Sequence, residues 1–160
     1  MVQLSLLYQI TLFLTNNCPV SIGIRGGFAP PTPNAVHTIT QPAGSPEISI
    51  ASATRPDGTP SLLNASAKRI SAKDEHTASL VEELHGILKT IPVESPPGSE
   101  DIYGLDTSIA WGSFDLQWMN GGPSGCGSGI SDVQPTEEEK AKFKRAVDIV
   151  YELVKKDAIQ

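Results

Sequence analysis

The stretch TEEEKAKFKRAVDIVYELVKK, Thr136 to Lys156, constrains the fold more than any other part of the chain. Thr136 followed by Glu139 is a capping box: the hydroxyl accepts the amide hydrogen three residues on, and the carboxylate reaches back to the first amide. Behind it Phe143, Ala146, Val147, Val150, Leu153 and Val154 form a stripe at helical spacing, broad enough to cover one face of a sheet. Burying five such large side chains is worth on the order of 10 kcal/mol before chain entropy is set against it. A one-sided helix of this strength needs an apolar partner surface, which the rest of the chain must supply.

A second helix starts near Asp74. In DEHTASLVEELHGILKTI, Leu80, Leu84, Ile87, Leu88 and Ile91 recur at helical spacing, acidic residues stand at the positive end of the dipole, and Pro92 ends the run. The partner surface is a sheet. Val2, Leu4, Leu6, Tyr8, Ile10, Leu12 and Leu14 alternate with mostly polar residues, as do Val20, Ile22 and Ile24. Short extended pieces are expected over 36–40 and 47–53. Tyr103 to Met119 reads as an antiparallel hairpin turning at Gly112–Ser113, with Tyr103, Leu105, Ile109, Trp111, Phe114, Leu116 and Trp118 on a core-facing side. The expectation is an α+β fold: an antiparallel sheet of about four strands packed against two main helices. A length of 160 residues suits one domain. Its core is expected over about 20–154, with 30–70 and 120–135 rich in loops and 1–15 an extra strand or a weak signal-like segment.

That first segment is apolar but has no basic start, is interrupted by Gln9 and Thr11, and offers no small-x-small cleavage site, which favours a strand over a secretion signal. It is also too short and polar to span a bilayer. A cytoplasmic location is expected, with secretion open if residues 1–18 act as a signal. Net charge is −6, and residues 71–160 carry sixteen acidic against eight basic side chains. Nucleic acid is an unlikely partner for such a surface, because phosphate contacts need a clustered basic face.

The glycine-rich run GGPSGCGSG, 121–129, has neither the GxGxxG nor the GxxxxGK[ST] pattern and stands seven residues before its helix, so it is no phosphate cradle. It reads as a connector carrying an incidental thiol. A thiol-dependent enzyme at Cys126 would need a histidine or cation to lower the thiol pKa. Cys18 and Cys126 are too few for a disulfide framework, and whether they pair stays open. His76 and His85 lie nine residues apart, on opposite helix faces, and the single Glu82-x-x-His85 spacing lacks the second copy a di-iron site needs. Asp101, Asp106 and Asp115 are spread along the hairpin. No catalytic group, metal site or cofactor is expected. Trp111 and Trp118 are read as core in preference to a partner platform.

Taken in order, IGIRGGFA, LVEELHGIL, EDIYGLDTSIAW with its following aromatic strand, and the closing helix resemble the emfourins over roughly residues 20–154. Emfourins are small protein inhibitors of protealysin-like, thermolysin-type zinc metalloproteases. The chain departs from them by an added N-terminal strand, a Pro-rich insertion between Pro30 and Lys68, and the Gly-Cys loop. The resemblance implies an α+β fold and a protease as protein partner. Arg25, Gly26, Gly27 and Phe28 would be the partner-binding segment: glycines permit close backbone approach, Phe28 is an apolar anchor, and a rigid loop in the cleft excludes peptide and water from the metal. A generic interaction module with another partner is the alternative.

Overall fold

A computed structural model describes residues 6–14, 33–56, 59, 61–65, 67–121 and 129–159. Among these the chain runs β1 (Leu6–Leu14), β2 (Ala35–Pro42), β3 (Glu47–Thr54), β4 (Leu63–Asn64), β5 (Lys68–Ser71), α1 (Glu75–Leu88), β6 (Thr107–Ser113), β7 (Gln117–Met119) and α2 (Glu137–Lys155). The strands form one antiparallel sheet in the order β4-β3-β2-β1-β6-β7. β5 joins β3 on the same edge as β4, since β2 fills the other.

The sheet therefore has seven strands where about four were expected. β2 and β3 cover the extended pieces expected over 36–40 and 47–53; β4 and β5 were not anticipated, being only two and four residues long and set among Pro, Gly and Ser. β1 is not an appendage: it pairs with β2 on one side and β6 on the other. The strand expected at 20–25 lies outside the described residues.

Strict alternation builds the core. Register places Ile50, Ile39, Ile10, Trp111 and Trp118 in one lateral row across five strands, all buried. Leu80, Leu84 and Leu88 of α1 and Phe143, Val147, Val150 and Leu153 of α2 are buried in the same cluster. Phe143 has no exposed surface and stacks on Tyr103 at 4.1 Å between ring centroids.

Both helices are capped as their sequences require. Asp74 accepts from Thr77 N at 2.9 Å, and Thr136 and Glu139 form the reciprocal capping box. Three ion pairs along the seam, Glu83–Arg145, His76–Glu152 and Asp74–Lys156, match ascending positions on α1 with descending ones on α2. The helices are thus antiparallel. The far end of α2 is closed by Lys68 of β5, whose Nζ donates to the carbonyls of Val154 and Lys156, a cation at the negative end of the dipole.

The hairpin turns two residues later than expected. The two-residue loop is Phe114–Asp115, closed by Ser113 N donating to Leu116 O at 2.8 Å. A turn at Gly112–Ser113 would set Trp111 opposite Phe114. The observed register sets it opposite Trp118, so both indoles enter the core, and Phe114 is left fully exposed at the tip. Leu105 is likewise exposed, in the loop before β6.

Candidate functional site

One register step from the Ile–Trp row toward the hairpin tip, the core face of the sheet becomes partly polar. Here β3, β2, β1 and β6 present Ile48, Gln41, Tyr8 and Ser113, with Tyr8 directly opposite Gln41 and Ser113. Above them α1 offers Ala78, Val81, Glu82 and His85, the face adjoining its buried leucine stripe, since positions three, four and seven apart share a side. Alanines at 72 and 78 are too small to close the gap. What remains is an open cavity of about 330 Å³, walled also by Trp111 and Asp115. That volume lies at the small end of ligand-binding clefts.

Its aromatic wall is continuous. Trp111 stacks with Tyr8 at 5.5 Å and with His85 at 5.2 Å between centroids. Tyr8 is only 4 % exposed, and its hydroxyl has no hydrogen-bond partner among the described residues. Burial pushes the phenol well above the ordinary tyrosine range, so it keeps its proton.

Asp115, in the hairpin turn, collects the polar groups at the mouth. It accepts from Lys89 Nζ at 2.6 Å and from Ser113 Oγ at 2.9 Å, and His85 Nε2 lies 3.1 Å from its Oδ2. The Lys89 hydrogen bond, then that of Ser113, hold its carboxyl well below the usual carboxylate range. Ser113 Oγ in turn accepts from Trp111 Nε1 at 2.9 Å. Serine, aspartate and histidine are thus together in the wrong order for acyl transfer. A nucleophilic serine needs the imidazole beside it, with the carboxylate behind. Here the carboxylate separates the two, and its low pKa makes it a weak base.

Glu82 borders the same cavity, is exposed, and has no ion-pair partner among the described residues. The Glu82–His85 pair, set aside as a di-iron motif, lies on the rim of a cavity. Asp115, read as one of three aspartates spread along the hairpin, is carried by the displaced turn to the end of α1. Asp101 accepts from the amides of Tyr103 and Asp106 and serves its own loop. His76 stands on the helix seam, and His37 is buried with Nδ1 2.8 Å from Ser52 Oγ and its ring edge-on to Tyr151. Trp118 is core, donating Nε1 to Ile91 O at 3.1 Å. Among the described residues no group of three or more His, Cys, Asp or Glu side chains could hold a metal ion.

Arg25, Gly26, Gly27 and Phe28, with Cys18 and Cys126, lie outside the described residues. The stem of the Gly-Cys stretch is described at Gly121, which has a positive φ of 76° and whose amide donates to Glu94 Oε1 at 2.8 Å. A Cβ there would collide with Ser108 Oγ in a backbone conformation that already favours glycine, so a side chain at 121 would be strained.

Sequence reasoning missed Tyr8, Gln41 and Ser113 as cavity residues. A signal existed: Gln41 follows Ala35, His37 and Ile39 on the inward side of its strand, and a polar residue there marks a place where the core is left open. The chain matches no family model, no curated protein and no solved structure.

Proposed function

We propose that the protein acts by binding, with the Tyr8–Trp111 cavity receiving a protruding group of its ligand. One observation carries this reading: a preformed cavity of about 330 Å³ walled by the stacked rings of Tyr8 and Trp111, with Glu82, His85 and Asp115 lining it. Concave, mostly apolar sites with a few convergent polar groups are where proteins hold small groups. The chemistry beside it favours binding over turnover, because the Ser113 proton is committed to a weakly basic carboxylate.

Screening small aromatic and aliphatic fragments against the full chain by NMR tests it. Binders should shift the indole N–H resonance of Trp111 and leave that of Trp118 unmoved. If no fragment shifts Trp111 at millimolar concentration, the cavity is not a binding site.

An emfourin-like inhibitor of thermolysin-type metalloproteases is the second, narrower reading. It draws on the order of the sequence motifs, and the antiparallel sheet with two helices is the kind of architecture that resemblance implies. In this reading Arg25 to Phe28 enters the protease cleft. Micromolar protein should then suppress peptidase activity of such an enzyme, and Phe28→Ala should relieve the suppression; unchanged peptidase activity would remove this reading.

A further inference from the structure

Resting on the reading of the cavity as a binding site, we infer that the group it receives is a positively charged nitrogen, an alkylammonium or guanidinium carried on an apolar stem. Two features point the same way.

The first is charge. The ionisable groups facing the cavity are Glu82, His85 and Asp115, besides the phenol of Tyr8. Asp115 is matched by Lys89 and contacted by His85, whereas Glu82 has no ion-pair partner among the described residues. The unmatched charge at the mouth is negative. An anionic ligand would be repelled by the unmatched Glu82 carboxylate, and a neutral one would gain nothing from it. The whole chain, at −6, steers cations rather than anions toward its surface.

The second is the lining. Tyr8 and Trp111 supply aromatic faces, which attract cations through the ring quadrupole. Ile48, Ala72, Ala78 and Val81 supply the apolar length against which an alkyl stem packs.

Three probes of one skeleton test the inference on the full chain: phenethylammonium, phenethyl alcohol and phenylacetate, titrated while the Trp111 indole resonance is followed. The ammonium should bind at least tenfold more tightly than the alcohol, and phenylacetate most weakly. Glu82→Gln, an exposed helix substitution, should reduce ammonium affinity several-fold and leave the alcohol unchanged. Equal or tighter binding of the alcohol, or an unaffected ammonium in Glu82→Gln, overturns the charge inference while the cavity remains a binding site. No response to any probe removes both. A blocked lysine peptide in parallel distinguishes the source of the cation: tighter binding than the free amine assigns the group to a protein side chain, and weaker binding assigns it to a small amine.

Discussion

Tyr8 and His37 show how much can hang on one atom. If the Tyr8 hydroxyl is unpartnered, Tyr8→Phe removes a desolvated group without opening a hole, and stability should stay level or rise by up to about 1 kcal/mol. Urea unfolding measures this; a loss larger than that would mean the hydroxyl is bonded. His37 is 7 % exposed, and burial lowers its pKa below the ordinary value. The unfolded chain, with histidine near 6.5, then takes up protons more readily than the folded one as pH falls. Stability attributable to His37 is full above about pH 6.5 and declines below it. The thermal midpoint should therefore drop between pH 7 and pH 5, and His37→Gln should flatten that slope. Neither residue's role was legible beforehand. Tyr8 read as one more apolar strand position and His37 as a scarce histidine, because burial and partners depend on strands far away in sequence.

At the level of elements, legibility followed locality. Both helices, their starts and their caps could be read directly, since a cap needs only residues three apart. Thr136→Ala should cost about 1 kcal/mol, while Glu139→Gln, which preserves the reciprocal bond, should cost much less. Thermal melts of the two variants compare them directly. The hairpin was recognised as a hairpin, but its turn was misplaced. Gly-Ser is a good local turn, and the pairing of Trp111 with Trp118 overrules it, because burying two indoles outweighs a turn preference. Phe114, fully exposed as a result, should be replaceable by Ser with a stability change within about 0.5 kcal/mol. A much larger loss in chemical unfolding would show that the tip is covered. The cavity follows from the same register, since the later turn carries Asp115 to His85 and Lys89.

Over the whole molecule, the sheet and the helices share one core cluster, in which Phe143 has no exposed surface and lies against Tyr103 and Trp118. Phe143→Ala should cost about 3–5 kcal/mol. Against a total of roughly 5–15 kcal/mol for a domain, that leaves the variant partly unfolded, as near-ultraviolet circular dichroism would report. The fold class could be read in advance because two one-sided helices demand a sheet. The strand count could not, because β4 and β5, two and four residues long, are too short to show an alternation. β1 was the largest surprise at this scale: what looked like an addition at one end holds the middle of the sheet. That position has a cost during synthesis. β2 emerges early, but β6 emerges only after most of the chain has been made. Until then one whole flank of Leu6–Leu14 offers bare amides and carbonyls to any extended neighbour. In the nascent protein that flank therefore stays open to pairing with another extended chain until Thr107–Ser113 has been made.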